Sequence, residues 1–427
     1  MTTTTPDTTR YFPHPAQFPS HTNEQYLQEA HSIASQCWLH YADPSSRSYG
    51  TLYTGALGSL CFPPSCSSLP PSFLPGSTTL KALACVDDAL AQATRRNIRC
   101  TLLECPTTSS LCLKLALLVK VDQIEEARSI GNEILRLGQG CRSPVECLDE
   151  KECEILYGRA GYLTAILFAR KHLKDAAFGR AVVVNTVRTI IENGVATVRK
   201  YQTNLPLLWE WHGSLYLGAA HGVVGILCTL LNFVDELPLV DEQIGGGIKS
   251  MDLIRQTIDV LDNNQTFPSG NLRSSIGREK DKLVHWCHGA PGYVLLLVKA
   301  HTVFGEQRYL RRAETICDNV IYPRGLLRKG VGLCHGVSGN AYCFLAVYRG
   351  RLLEQDGDGS TDQTTFEENE RFLQMARNFA SFAIDNFDAL APIPDRPYSL
   401  FEGMAGLVTL LLDLQNPENA MFPCFEF

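Results

Sequence analysis

The sequence predicts an all-α protein folded as an α/α toroid, a double-layered barrel of about seven helical hairpins. Three observations predict it: apolar residues at three- and four-residue spacing over long stretches, few strand signals, and one small-residue element that recurs before apolar helices. The helical period is clearest in Tyr26–Tyr41, Thr79–Arg96, Gln123–Leu137, Arg180–Lys200 and Phe366–Phe387. The recurring element is G-x-x-G, at Gly55–Gly58, Gly158–Gly161, Gly222–Gly225, Gly289–Gly292, Gly336–Gly339 and Gly403–Gly406. Successive copies lie on the order of 50 to 70 residues apart, room for the helix each one opens, a returning helix and two loops. The first interval is about double that spacing. A degenerate copy around Glu104–Leu111, followed by the apolar run Cys112–Val119, fills the gap and completes the set of hairpins.

Glycine leaves room for tight turns and close helix approach, and each new helix start carries amide groups without an intrahelical partner. If the hairpins close into a ring, these starts share one end, and their partial positive charge suits an anionic ligand. An open α-solenoid would need polar capping repeats at both ends, and none is visible. Phe62–Thr79, rich in Pro and Ser, and Glu354–Thr365, acidic and Gly-rich, read as surface loops, the second mobile. Residues 1–20 read as an N-terminal arm. Neither loop resembles a linker, so residues 1–427 read as one domain.

Composition narrows the function classes. Hydrophobic residues make up 45% and charged residues 19% of 427 residues, enough to bury a large core. A net charge of -7 without a concentrated basic face argues against nucleic acid as a partner. The Thr-rich start lacks the basic and apolar regions of a secretion signal, so a cytoplasmic location is expected. No apolar run approaches the ~20 residues that span a bilayer, which excludes a transmembrane helix and leaves peripheral membrane association open. The 16 cysteines read mainly as buried thiols rather than disulfides, with Cys61, Cys66, Cys100, Cys105 and Cys112 taken as structural.

Three turns carry histidine or cysteine just before the repeat: Gly218-Ala-Ala-His221-Gly222, His285-Trp-Cys287-His288-Gly289 and Gly332-Leu-Cys334-His335-Gly336. Thiolate and imidazole together select zinc, and equal phase in the repeat would bring neighbouring turns together. Cys287, His288, Cys334 and His335 can be written as a closed four-ligand site. Adjacent residues in both pairs would then have to aim at one ion, so Cys287, Cys334 and His335 with an open fourth position fit better, the arrangement a catalytic zinc needs. Buried cysteines beside capping histidines remain the bland alternative.

Trp286-Cys287-His288-Gly289, Cys334-His335-Gly336, Gly218-Ala-Ala-His221-Gly222 and Ser399-Leu-Phe-Glu402-Gly-Met-Ala-Gly406 resemble the motifs of the LanC-like family, eukaryotic relatives of the bacterial lanthionine synthetase cyclases. Arg10-Tyr-Phe-Pro13, Tyr157-Gly-Arg-Ala-Gly-Tyr162, Phe267-Pro-Ser-Gly-Asn271 and the ending Phe422–Phe427 extend the likeness along the whole chain. The resemblance implies a seven-hairpin toroid with one zinc on Cys287, Cys334 and His335, an exchangeable fourth ligand, and glutathione as the thiol bound there. It further implies addition of glutathione to dehydroalanine or dehydrobutyrine in proteins, giving a thioether. Zinc would hold the thiol as thiolate, and an imidazole would supply the proton the α-carbon then needs. By position His221 matches the family's acid/base, and His288 stands beside a ligand where it could orient the site or assist protonation. Lys329 matches a basic residue of the glutathione pocket, and Arg10 an N-terminal arginine that reaches it. Each of these has a plain reading too: a core histidine for His221, solvated surface charges for Lys329 and Arg10. Glu402 is a further wall candidate. One departure stands out: Glu104–Ser110 lacks the glycines that relatives carry in the second repeat, so no substrate contact of that turn carries over.

An alternative function with the same ligands is a non-catalytic glutathione-binding zinc protein that acts as a redox or signalling adaptor. A glycoside hydrolase would need two carboxylates flanking a cleft and would leave the Cys/His set unexplained. Bacterial-style peptide cyclisation would use a peptide thiol, and these residues contain no sign of a fused dehydratase domain or of a dedicated precursor peptide.

Overall fold

The computed structural model describes residues 9–42, 50–60, 78–93, 100–140, 152–247, 249–358 and 363–427. Among these residues there is no strand, only isolated antiparallel bridges at Tyr11–Leu327, Trp211–Ser214 and Thr266–Leu272. The helices run, after α1 (Asn23–Ala42), as a helix opened by a turn and a helix that returns. The first pairs are α2 (Ala56–Leu60) with α3 (Thr78–Ala93), α4 (Pro106–Lys120) with α5 (Ile124–Gly140), and α6 (Arg159–Leu173) with α7 (Arg180–Tyr201). Next comes α8 (Val223–Leu230), with a return split into α9 (Leu237–Ile244) and α10 (Ser250–Asn264). Then α11 (Ala290–Phe304) is followed by α12 (Gln307–Ile316), which continues through a π-helical turn, Cys317–Ile321, into α13 (Tyr322–Arg324). Last are α14 (Val337–Asp358), α15 (Gln363–Asp385), the single turn α16 (Phe387–Leu390), and α17 (Met404–Asp413).

Each G-x-x-G therefore opens a helix at the residue after its first glycine. The second glycine is where side-chain bulk is forbidden: a Cβ at Gly225 would lie 1.9 Å from the Ala219 carbonyl oxygen, and one at Gly339 1.8 Å from that of Leu333. Of the helices so opened, α8 and α17 are almost wholly apolar, which fits full burial, and every residue of each is buried. The degenerate second repeat keeps the pattern. Cys105 stands in the glycine's place with φ -105°, close to the -106° of Gly158, an extended backbone open to any residue. Thr108, Ser109 and Ser110 keep that turn small and are fully buried, with Ser109 Oγ donating to the Leu102 carbonyl at 2.6 Å.

At several helix starts the leading amides are already satisfied. The first amide of α6, α8, α14 and α17 donates to a carbonyl seven residues earlier: Arg159 to Glu152, Val223 to Tyr216, Val337 to Gly330 and Met404 to Pro397. The second amide of α6 and of α8 does the same, Ala160 to Cys153 and Val224 to Leu217. The orphan donors that were expected to face an anion are consumed by the turn that precedes them.

The predicted loop from Glu354 is shorter than expected: α14 continues to Asp358 and α15 begins at Gln363, with 359–362 outside the described residues. Of Phe62–Thr79, residues 62–77 lie outside them too, and Thr79 already belongs to α3. The helix expected over Thr79–Arg96 is described to Ala93. Among the described residues every cysteine is a free thiol, all buried except Cys85 and Cys424; Cys61 and Cys66 fall outside. No described helix is long and apolar enough to cross a membrane.

By its contacts the chain forms two compact units. One comprises the N-terminal arm, α1 and Gln265–Pro423; the other runs from α2 through Asn264 and takes in Cys424–Phe427. In the second, α4, α6 and α8 pack side by side in sequence order, and in the first α11, α14 and α17 do so. Side-by-side packing aligns the turns that open those helices. It is this alignment that turns repeat phase into a site.

Candidate functional site

Three turns meet in the unit that holds Gln265–Pro423. The Cys334 amide donates to the Phe401 carbonyl at 2.7 Å, and the Cys287 amide points at the Cys334 carbonyl at 3.4 Å. Gly332 is needed where the last two turns touch, because a Cβ there would stand 2.3 Å from the Glu402 carbonyl. Trp286, fully buried, packs its ring 5.3 Å from Phe401 and 5.4 Å from Phe422, so the aromatic chain ending anchors the same turns. The result is that one ligand atom each of Cys287, Cys334 and His335 lie within 4.8 Å of one another. His288 is not part of that cluster. Its carbonyl instead closes the turn by accepting from the His285 amide at 3.1 Å.

The residues of the trio perturb one another's ionisation. Burial pushes the Cys334 thiol well above the usual thiol range, and the neighbouring Cys287 adds to it, while His335 works the other way. Burial disfavours the His335 imidazolium, but the hydrogen bond and charge of Cys334 outweigh it, and the imidazole is raised overall. Two buried thiols with an imidazole on the same point form a soft donor set that a zinc ion fits.

Two cations and one carboxylate act on the imidazoles here. His285 is pushed down to about 3, first by burial and then by the charges of His335, Lys329 and Arg10; at His335 the charges of Lys329 and Glu402 oppose each other. Lys329, Arg10 and Glu402 thus all act on the imidazoles of the centre. Arg10 arrives there by chain pairing. The Phe12 amide donates to the Leu326 carbonyl at 2.7 Å, the Arg328 amide to the Arg10 carbonyl at 3.0 Å, and the Arg328 guanidinium covers the Phe12 ring at 4.0 Å. The arm is pinned along the segment that leads into Lys329.

Sequence reasoning missed the residues that hold these groups. In α11, Pro291 removes one amide, and the first amide, Ala290, donates to Asn271 Oδ1 at 2.8 Å instead of to a carbonyl seven residues back. Asn271 Nδ2 in turn donates to the Leu283 carbonyl at 2.9 Å and to Asp281 at 2.6 Å. A buried side chain thus relays the bond that is direct in other repeats. Burial opposes the ionisation of Asp281, yet hydrogen bonds from Arg324, Asn271 and Ser269 outweigh it and hold the carboxyl below the usual carboxylate range. The only signal in the sequence is the Phe267-Pro-Ser-Gly-Asn271 motif paired with proline in the helix start.

His221 lies in the other unit, in the turn before α8. Its Nδ1 is 2.8 Å from Glu154 Oε2, and the indole of Trp211 stacks on its ring at 3.9 Å with planes 4° apart. Glu154 is buried and its carboxylate also accepts from the amides of Leu156, at 3.0 Å, and Tyr157. A fixed carboxylate on Nδ1 and a stacked indole set both the tautomer and the ring plane. Neither Glu154 nor Trp211 was singled out from the sequence.

The comparisons with known proteins agree with this architecture. A family model for lanthionine synthetase C-like proteins matches residues 50–427. The chain is 34% identical over 348 residues to the zebrafish (Danio rerio) protein named glutathione S-transferase LANCL1, covering 81% of this chain and 78% of the relative. It is 35% identical over 277 residues to LanC-like protein GCL1 of Arabidopsis thaliana, covering 64% of this chain and 57% of that protein. Among solved structures, nisin cyclase superposes with a TM-score of 0.58 at 14% identity, over 93% of this chain and 95% of that one, which gives the fold as an α/α toroid. With most of its length matched by the family model and by a relative above 30% identity, the chain belongs to the LanC-like family.

Proposed function

We propose that this protein is a zinc-dependent glutathione transferase that adds the glutathione thiol to dehydroalanine or dehydrobutyrine residues of proteins. The observation that carries the reading is the convergence of Cys287, Cys334 and His335 beside the charges of Lys329 and Arg10. Its likeness to a relative named as a glutathione S-transferase supports the choice of thiol. Bound by those three residues, zinc would lower the pKa of a thiol enough to keep it as thiolate at neutral pH.

The remaining work belongs to side chains. Glutathione carries two carboxylates, and Lys329 and Arg10 are the cations assigned to them. The sulfur attacks the β-carbon of the alkene, a C–S bond forms, and the alkene electrons pass to the carbonyl as an enolate. His221, held through Nδ1 by Glu154, is assigned the proton delivered to the α-carbon, which completes the thioether. His288, outside the ligand cluster, is assigned a supporting role in the His285–His288 turn.

The test is direct. Purified protein with glutathione and a dehydroalanine peptide should give a peptide adduct of glutathione by mass spectrometry, and chelation of zinc should abolish it. Binding of glutathione without any adduct at matched zinc content would select the adaptor reading instead.

A further inference from the structure

We propose that the groove between α1 and the bend from α15 into α16 docks a partner protein through a basic, apolar segment led by an arginine. The inference goes beyond the transferase reading and uses none of the residues assigned to that reaction. One wall is a stripe of α1: Glu29, Ser32, Ile33 and Gln36, at i, i+3, i+4 and i+7. The other forms where α15 gives way to α16. Asn386 leaves helical geometry there, with φ -110° and ψ 19°, and its side-chain amide donates back to the Phe382 carbonyl at 2.9 Å. The bend sets Phe387 and Asp388 beside Ile384 and Asp385. Between the walls lies a cavity of about 310 Å³, at the lower end of the roughly 300 to 1,000 Å³ typical of ligand sites.

Two ties hold the walls at a set width. The Tyr26 hydroxyl, one turn before Glu29, donates to the Arg377 carbonyl at 3.2 Å and pairs with Ser381 Oγ at 2.8 Å. His21 Nε2 stands 3.4 Å from Asp385 Oδ1. Both ties join the start of the chain to α15, so the groove is formed before anything enters it.

Charge selects the occupant. Three carboxylates, those of Glu29, Asp385 and Asp388, line the cavity, and no lysine, arginine or histidine does. Asp385 has His21 as its neighbour, but among the described residues the side chains of Glu29 and Asp388 make no ion pair or hydrogen bond. α1 carries no lysine or arginine along its 20 residues, so nothing on that helix offsets the acids. Beneath them the floor is apolar: Ile33 is 2% exposed, and Ile384 and Phe387 are half-buried. An aliphatic stem laid on isoleucines with a cationic head among carboxylates is the shape of a long basic side chain. The Phe387 ring favours arginine, whose planar guanidinium stacks on aromatic faces while it pairs with carboxylates. Ser32 and Gln36, exposed at the rim, add neutral hydrogen-bonding groups suited to the backbone of a chain lying across the groove. A hydrated metal ion would leave both the floor and the rim unused.

The experiment titrates the full-length protein with a short fluorescent peptide that alternates arginine with leucine, read by anisotropy. Versions with lysine or glutamate in place of arginine, and spermidine as a free cation, serve as comparisons. The arginine peptide should bind, the lysine peptide more weakly and the glutamate peptide not at all, and added salt should weaken the complex. Glu29→Gln/Asp388→Asn should reduce affinity about tenfold or more at an unchanged melting temperature, whereas Glu125→Gln/Glu126→Gln, on exposed α5, should not. Phe387→Leu should remove the preference for arginine over lysine while keeping the binding of both. No binding of the arginine peptide would overturn the proposal. An equal loss in the groove and α5 variants would do the same, because it would reduce the effect to net charge. Spermidine displacing the peptide at equal concentration would leave a site for free cations, without a protein partner. A concentration-dependent dimer in sedimentation, abolished by the groove variant, would give the groove to a second copy of this chain. Either of these two results rejects the docking site as proposed.

Discussion

Cys334 is the residue on which the centre turns, because its backbone ties two other turns together and its thiol neighbours both partners. In the proposed zinc site, replacing it with alanine would remove one of three ligands from a chelate whose affinity depends on all of them. Cys334→Ala is expected to lose its zinc by elemental analysis, and full occupancy in that variant would end the assignment. His221 offers a different kind of test. Its ring is held by Glu154 and Trp211 rather than by the core, so His221→Asn should keep zinc and glutathione while slowing adduct formation by about 10²- to 10⁴-fold. A wild-type single-turnover rate would remove the catalytic role. The convergence of Cys287, Cys334 and His335 was legible in the sequence because Cys and His recur at one phase of a repeat. Glu154 was not, since its partner lies 67 residues away and nothing in local spacing marks a buried carboxylate as the holder of an imidazole.

At the scale of elements, the helix starts were legible because glycine is the residue that lets a new helix pass under the preceding turn. The cost of adding one methyl group should therefore depend on which turn receives it. Both Gly225→Ala and Gly339→Ala force a Cβ against a carbonyl, at 1.9 and 1.8 Å, and each should lower stability by roughly 1 to 3 kcal/mol in denaturant melts. Only Gly339 presses on the Leu333 carbonyl next to Cys334, so its variant alone should also weaken zinc binding. Equal zinc affinity in the two variants would separate turn packing from the metal centre. What sequence could not show is how each start satisfies its amides. The seven-residue back-bond and its Asn271 relay depend on the path of the loop, and that path has no periodic signature.

The end of α6 adds a pH dependence. His172 is held down to about 4, chiefly by burial and secondarily by Lys171. In the unfolded chain it takes its proton near 6.5. Between those values the unfolded state binds the extra proton, so stability is complete above about pH 6.5 and falls as the pH drops toward 4. His172→Gln should flatten that part of the profile by on the order of 1 kcal/mol, discounted for its partial exposure to water. An unchanged slope in thermal melts across this window would show that other groups set it.

For the whole molecule, the proposed zinc site divides the chain unevenly. Cys287, Cys334 and His335 all belong to the unit of Gln265–Pro423, whereas α4, α6 and α8 belong to the other. Zinc binding is folding free energy for the residues it joins, about 2.7 kcal/mol when free metal stands at a hundred times its dissociation constant. Chelation should therefore speed amide exchange in α11, α14 and α17 and in the turns that open them by up to about a hundredfold, while α4, α6 and α8 change little. The turns should respond first, because the Cys334–Phe401 and Cys287–Cys334 backbone contacts link the ligands directly to their helix starts. Hydrogen exchange followed by mass spectrometry, with and without chelator, resolves the two sets of helices. Equal acceleration in both would mean that the units unfold as one cooperative body, and no acceleration in α11 and α14 would mean that the trio does not hold the metal.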